Sequence, residues 1–347
     1  MCADRLQLSP SPVSRLALGQ VRVERYPIRG GFTISRGTKR EAAVVTAELI
    51  AALADGRTVR GQGECVPYGR YGETVDGVLA AVLAQGPEIM GGMSREDLQA
   101  AMPAGAARNA LDSAFWDLEA KITGVPAWQL AGLAAPGAVA TAFTISLREA
   151  DAMGLAARAA VGMPLLKLKL GGAADDLERV AAVRRNAPHA RLIVDANEGW
   201  TIGQLEVLAP QLAALGVALI EQPLPAGLDQ ALADFRSPIQ LGADESCHGI
   251  ESLATLAGRY QVVNIKLDKT GGLTEALALK TAARAAGFGI MVGCMVSTSL
   301  AMAPAFLLAQ DAEFVDLDGP LLLEQDRAPG IAYGGAWMSA PPPELWG

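Results

Sequence analysis

Histidine and cysteine are scarce in this chain of 347 residues, with two of the first and four of the second. The cysteines, Cys2, Cys65, Cys247 and Cys294, stand far apart with neither CxxC nor CxxxH spacing. That pattern suggests neither a disulfide framework nor a zinc site, and it fits a reducing, cytoplasmic setting. An excess of positive charge is also missing: 29 Lys and Arg against 37 Asp and Glu leave a net charge of −8. A polyanion is repelled by such a chain, so neither nucleic acid nor an anionic membrane is an expected partner. No low-complexity tract is present, and 51% hydrophobic with 19% charged residues marks a folded globular protein. The opening MCADRLQLSPSPVSR has no apolar core of the kind a secretory signal needs, so export is not expected. Residues 285–310 form an uncharged stretch long enough to cross a bilayer, but Gly289, Gly293, Ser297, Thr298, Ser299 and Pro304 interrupt it. A buried strand, loop and helix is the expectation there.

What is present falls into two rhythms. Over residues 21–67 the runs VRVERYPI, EAAVVTAELIAAL and RTVRGQGECVP, separated by RGGF, SRGTKR and ADGR, predict an antiparallel meander with turns at those three signals. Helices are expected at about 74–88, 94–101 and 105–122. Residues 1–125 therefore read as an α+β capping domain. After Pro126 come eight short β-rich runs alternating with Ala- and Leu-rich helical stretches: TAFTI, LLKLKL, RLIVDA, ALIEQ, IQLGAD, VVNIKL, GIMVG and FVDLD. Their starts differ by 21 to 27 residues, the length of one strand, one helix and two short loops. Residues 126–320 are thus expected to form a (β/α) barrel. A doubly wound sheet is disfavoured because TAFTISLREA carries no Gly-rich phosphate turn. Residues 321–347, ending in PPPELWG, leave the repeat and are expected to pack back on the first domain.

The polar residues in the barrel runs sit at their C-terminal ends: Lys167 and Lys169 in the second, Asp195 in the third, Glu221 in the fourth, Asp244 in the fifth, Lys266 in the sixth, Asp316 and Asp318 in the eighth. In a parallel barrel those ends meet at one mouth, where barrel enzymes keep their active sites. A single strand-end acid is commonly a cap or a surface residue. Three on consecutive strands would repel one another unless a divalent cation neutralised them, and oxygen ligands without His or Cys favour Mg²⁺. Lys169 and Lys266, four strands apart in an eight-stranded ring, would flank a ligand on opposite sides. Neighbouring cations and burial lower a lysine's proton affinity, so both are candidate acid/bases, with Lys167 supplying nearby positive charge or holding a carboxylate. Removal of a proton α to a metal-bound carboxylate, with return to the opposite face, is the reaction class these parts describe. A Schiff-base aldolase would also use a barrel lysine but has no need of three acids.

The motifs LKLKL, IVDANEGW, IEQPL, GADES and NIKLDKTGGLTEAL together resemble the enolase superfamily, in its muconate-lactonising-enzyme-like branch, and the likeness extends to GECVPYGRYGET and PAGAARNALD. That superfamily pairs Lys or His bases with Mg²⁺-stabilised enediolates. The resemblance implies a modified TIM barrel of (β/α)7β type with an N-terminal α+β cap. It implies Mg²⁺ on Asp195, Glu221 and Asp244, with Lys169 and Lys266 as the acid/bases and Lys167 on the substrate carboxylate. The segment DLDG resembles the DxD signature of dipeptide epimerases, which implies that Asp316 and Asp318 take the α-ammonium of a dipeptide, L-Ala-D/L-Glu being the expected substrate in the recycling of cell-wall peptides. Thr144 and Cys294 match family substrate contacts. The cation for a Glu side chain is expected from SRGTKR: Arg36 first, because arginine can grip a carboxylate with two hydrogen bonds, with Lys39 and Arg40 open. A lyase or cycloisomerase acting on a carboxylate without an amine, and a barrel that only binds ligand, are the rival readings. Monomer and homo-oligomer both remain open.

Overall fold

The computed structural model describes residues 13–172 and 175–347. Cys2 and most of the opening segment read above lie outside them. The first domain is built on an antiparallel meander of three strands, Val13–Ile34, Gly37–Leu53 and Thr58–Cys65. Alternation of buried and half-buried residues along VVTAELIAAL turns one face of the second strand into the core. The RGGF segment, expected as a turn, instead lies within the first strand. Gly30 and Gly31, with φ of 67° and 78°, absorb a register shift between Pro27 and Phe32, and the strand continues. The hairpin therefore turns at Ser35 and Arg36 and reaches farther than the sequence pattern indicates.

Helices follow at Val75–Ala84, Gly86–Met90, Arg95–Ala101 and Ala106–Thr123. The last begins where Glu73 accepts the Ala106 N–H at 2.8 Å and ends at Gly124, whose φ is 68°. It lies hard against the third strand. A Cβ at Gly61 or Gly63 would stand 2.3 Å from Ala114 O or 2.2 Å from Ala110 O, so only glycine permits the approach.

Eight parallel strands follow, each neighbouring the next in the chain: Phe143–Ile145, Leu165–Lys169, Arg191–Asp195, Val217–Glu221, Gln240–Ala243, Val262–Ile265, Gly289–Gly293 and Phe314–Asp316. All eight predicted runs are strands. The seam between last and first is bridged where Ala142 N–H donates to Val315 O at 2.8 Å. Ala142, Leu165, Ile193, Leu219, Val262, Met291 and Phe314 form one buried apolar cluster. They sit at or just before the starts or middles of their strands and plug the barrel floor, leaving the polar C-terminal ends at the mouth. Residues 285–310 comprise the seventh strand, a loop and the helix Ser299–Leu308, and no described helix is long and apolar enough to cross a membrane.

The cap is fastened beside that mouth. Arg108 donates to Thr270 O at 2.7 Å and Gly271 O at 3.2 Å. Asp268 Oδ1 accepts Val66 N–H at 3.0 Å and Asn109 Nδ2 at 2.9 Å. The C-terminal segment packs on the cap, where Trp346 Nε1 donates to Ser113 O and Gln62 Nε2 to Leu345 O, each at 2.9 Å.

Candidate active site

Strand register brings the predicted residues to one level. Asp195 pairs with Lys169 on one side and Glu221 on the other, Thr144 with Lys167, and Gly293 with Asp316. Asp195 and Glu221 are fully buried and Asp244 nearly so. Just past Asp195 the backbone enters the left-handed region at Asn197 and Glu198, with φ of 46° and 67°, and this curl lets Asn197 N–H donate to Asp195 Oδ1 at 2.9 Å. Gln222, with φ of 36°, steadies the next loop by accepting Asp244 N–H at 3.0 Å.

Lysine ammoniums stand between these carboxylates. Lys169 lies 2.6 Å from Asp195 Oδ2, and Lys266 lies 2.6 Å from Asp244 Oδ2. Lys167 reaches Glu221 Oε2 and Asp316 Oδ2, each at 2.7 Å, and Asp195 Oδ2 at 3.5 Å. Glu221 Oε2 nevertheless accepts no hydrogen bond of adequate angle. The electrostatics follow from this interleaving. Burial opposes the charge on Asp195 and Asp244, but Lys169 and Lys167 outweigh it at the first and Lys266 and Lys269 at the second, so both carboxyls titrate below the usual range. Glu221 moves the other way, raised by burial and then by Asp195. For Lys266 the direction is the reverse of the sequence expectation: burial favours the neutral amine, yet Asp244 outweighs it and raises the lysine well above its ordinary value. Lys167 is raised for the same reason, chiefly by Asp316 and Glu221.

Among the described residues no three His, Cys, Asp or Glu side chains stand as a ready coordination shell. The donor set nonetheless suits a hard divalent cation, since every candidate atom is a carboxylate oxygen and Glu221 Oε2 is buried without a hydrogen bond.

Lys169, Lys266, Asp316, Asp318, Thr144, Cys294 and Arg36 all line one cavity of about 660 Å³ between barrel and cap. Asp316 Oδ1 is buried there without a partner. Asp318 accepts the Thr144 N–H at 2.6 Å, and burial with the neighbouring Asp316 pushes its carboxyl up to about 7. Burial followed by Asp316 and Asp318 raises the Cys294 thiol, making it neutral wall and no nucleophile.

Arg36 occupies the hairpin tip and is already engaged. Its Nη1 donates to Asn197 O at 2.9 Å and Glu198 Oε2 at 3.2 Å, and its Nη2 to Glu245 Oε1 at 2.8 Å and Tyr68 OH at 3.3 Å. Four of its five N–H groups are used, which leaves no two-bonded grip for a substrate carboxylate. Lys39 and Arg40 line the same cavity. The Lys39 ammonium stands 4.6 Å from the centre of the Tyr68 ring, with no carboxylate within ion-pair distance among the described residues.

Four participants escaped the sequence reading. Lys269 donates to Asp244 and Asn264 to Glu221, Glu245 holds Arg36, and Glu198 is gripped by Arg70 through two bonds of 2.8 Å. Alternation along VVNIKL would have placed Asn264 on the same side as Lys266. Glu245 lies beside Asp244 in GADES, but nothing local marks its distant partner.

Comparison with known proteins agrees with this architecture. Residues 18–132 match the mandelate racemase/muconate lactonizing enzyme N-terminal domain, and residues 151–327 the enolase C-terminal domain-like family. The chain is 46% identical over 312 residues to the L-Ala-D/L-Glu epimerase of Escherichia coli K12, covering 89% of this chain and 95% of that protein. It is also 46% identical over 301 residues to an N-acetyl-D-glutamate racemase of a Pseudoalteromonas species, covering 86% and 95%. A crystal structure of an enolase family member from Agrobacterium tumefaciens, with homology to dipeptide epimerases and containing sodium, L-Ala-L-Glu and an ordered loop, superposes with a TM-score of 0.91 at 50% identity, covering 96% of this chain and all of that one. The chain belongs to the enolase superfamily, in its mandelate racemase/muconate-lactonising-enzyme branch, and is an isomerase related to the dipeptide epimerases.

Proposed function

We propose that the protein is a Mg²⁺-dependent epimerase that inverts the Glu α-carbon of L-Ala-D-Glu and L-Ala-L-Glu, as suits the recycling of cell-wall peptides. The observation that carries this reading is the placement of Lys169 and Lys266 at the C-terminal ends of the second and sixth strands, both lining the cavity, with Asp195, Glu221 and Asp244 at the ends of the three strands between. A divalent cation bound by those acids supplies positive charge against the substrate carboxylate, which stabilises the negative charge that develops when the α-proton leaves.

The lysines handle the proton. For one epimer the neutral amine of Lys169 takes it from the α-carbon, and the Lys266 ammonium gives one to the opposite face; for the other epimer the roles exchange. Each lysine has a carboxylate at 2.6 Å, Asp195 for Lys169 and Asp244 for Lys266, so either can carry the proton between the two half-reactions. Lys167, behind the cavity wall, holds positive charge beside Glu221 and Asp316, and that charge favours a substrate carboxylate on its side of the site. At the other end of the ligand, the unpartnered Asp316 Oδ1 favours an ammonium group and hence a dipeptide over an N-acylated amino acid. Lys39, on the cavity wall, meets the Glu side chain, while Arg36 pins the hairpin across the mouth through Asn197, Glu198 and Glu245.

The test is incubation with Mg²⁺ in D₂O. L-Ala-D-Glu should gain deuterium at the Glu α-carbon and yield the other diastereomer. In Lys169→Met or Lys266→Met, inversion should stop while one epimer, a different one for each variant, still exchanges its proton. Turnover of N-acetyl-D-glutamate in preference to the dipeptide would overturn the dipeptide reading.

A further inference from the structure

The six oxygens of the three strand-end acids divide into two sets. One oxygen of each is held by a fixed donor: Asp195 Oδ1 by Asn197 N–H at 2.9 Å, Glu221 Oε1 by Asn264 Nδ2 at 2.7 Å, and Asp244 Oδ1 by Lys269 Nζ at 2.7 Å. The other oxygen of each faces Lys169, Lys167 or Lys266 at 2.6, 2.7 and 2.6 Å. The fixed donors have nowhere to go. The Asn197 donor is backbone. Asn264 is fully buried on the sixth strand, and it fits only because its neighbour Gly293 has no Cβ, which would stand 2.7 Å from Asn264 Oδ1. The Lys269 side chain has no exposed surface, and its ammonium has three acceptors, Asp244 O at 2.6 Å, Asp244 Oδ1 at 2.7 Å and Asn264 O at 3.0 Å. An ammonium has three N–H groups, so none is left over.

We infer that Lys269 and Asn264 are positioning residues that leave Asp244 and Glu221 one available oxygen each, and thereby set the preference of the site for Mg²⁺ over Ca²⁺. The inference rests on the proposed metal-dependent reading. Its chemistry is the difference between the two ions. Ca²⁺ takes six to eight oxygens in flexible geometry and readily accepts both oxygens of a carboxylate, whereas Mg²⁺ requires six near-ideal positions and keeps water in several of them. Three acids limited to one oxygen apiece suit the smaller ion and leave the larger one short of ligands. Freeing the second oxygen of Asp244 or Glu221 restores the missing ligand for Ca²⁺ and adds nothing that Mg²⁺ needs.

Isothermal titration calorimetry of the full chain with Mg²⁺ and with Ca²⁺, each with and without L-Ala-D-Glu, tests this, using wild type, Lys269→Met and Asn264→Leu. The wild type should bind Mg²⁺ more tightly, and in each variant the ratio of the Ca²⁺ to the Mg²⁺ dissociation constant should fall by about tenfold or more. A merely structural role would lower the melting temperature and shift both affinities together. An unchanged ratio in variants that still melt cooperatively overturns the inference and leaves the epimerase reading standing. Absence of binding of either ion by the wild type overturns the metal-dependent reading itself. A crystal structure of the wild type with bound Mg²⁺ decides the matter even if both variants fail to fold. One oxygen of each acid at about 2.1 Å from the ion, with the Lys269 and Asn264 bonds kept, is expected. A two-oxygen contact from Asp244 or Glu221 refutes the inference.

Discussion

Exchange of Lys39 for methionine separates its role from that of Arg36 on the same hairpin. Arg36 already places four N–H groups on Asn197, Glu198, Glu245 and Tyr68, whereas Lys39 has only the face of Tyr68 beside it. If Lys39 receives the side-chain carboxylate of the substrate, its removal deletes one charge-assisted hydrogen bond, worth about 1.5–3 kcal/mol. Residue 39 is exposed on the hairpin, so water and salt weaken the contact and the lower figure applies. About 1.5 kcal/mol corresponds to roughly a tenfold loss in kcat/KM. The assay compares L-Ala-D-Glu with L-Ala-D-Gln, which has nearly the same shape and no side-chain charge. Lys39→Met should lose about tenfold on the first and little on the second, and the gap should narrow as ionic strength rises. Arg36→Met should slow both substrates alike, because it releases the hairpin from the barrel and leaves the charge that distinguishes them in place. If Arg36→Met shows the Glu-specific loss and Lys39→Met does not, the assignment drawn from the occupied guanidinium is wrong.

Two further substitutions probe the supports of the site. Burial pushes the carboxyl of Asp268 up from 3.8 to about 7, so the folded state keeps a proton that the unfolded chain releases, and its contribution to stability is full below pH 3.8 and lost as pH rises toward about 7. Asp268→Asn keeps an acceptor for Val66 and Asn109, and chemical denaturation across pH 4–8 should show a flatter pH dependence, with a gain at pH 8 of at most about 4 kcal/mol, from three pH units at about 1.4 kcal/mol each. In Gly293→Ala the new Cβ would stand 2.7 Å from Asn264 Oδ1 and 3.1 Å from Lys266 Cε, both buried, so thermal unfolding should register a loss of about 1–3 kcal/mol and kcat should fall with it.

The barrel was legible because short apolar runs, six of the eight with charged residues at their C-terminal ends, alternate with helical stretches, a pattern that survives without long-range information. The same pattern exposed Lys169, Asp195, Glu221 and Lys266, since a charge ending a buried strand is conspicuous. Lys269 was not conspicuous. It lies on the single turn Leu267–Thr270 after the sixth strand, where a lysine reads as an ordinary loop residue, and only the fold shows it buried against Asp244. The hairpin tip was misplaced for a different reason. Two consecutive glycines are the usual mark of a turn, but here Phe32, Thr33 and Ile34 resume pairing with Lys39, Thr38 and Gly37, and the pairing overrides the local signal. The direction of the Lys266 shift was beyond sequence altogether, since it depends on whether Asp244 lies at 2.6 Å or a few ångströms farther away.

The charges at the mouth also bear on how the fold tolerates its own chemistry. Lys167, Lys169, Lys266 and Lys269 oppose Asp195, Glu221, Asp244 and Asp316, all of them buried. Removing one partner from a buried pair costs about 3–5 kcal/mol, because the survivor keeps its desolvation penalty without its compensation. The lysines are therefore structural counter-charges as well as candidate proton carriers, and a lysine variant that loses activity has lost part of this balance too. The two roles separate between Lys169 and Lys266, which line the cavity, and Lys269, which does not and whose three N–H groups are all used. A group that reaches the ligand can exchange its acid for the substrate as it works; a group walled in by the fold must keep its acid. That distinction is consistent with the proposed proton transfer by Lys169 and Lys266, and with Lys269 holding Asp244 still while Lys266 moves.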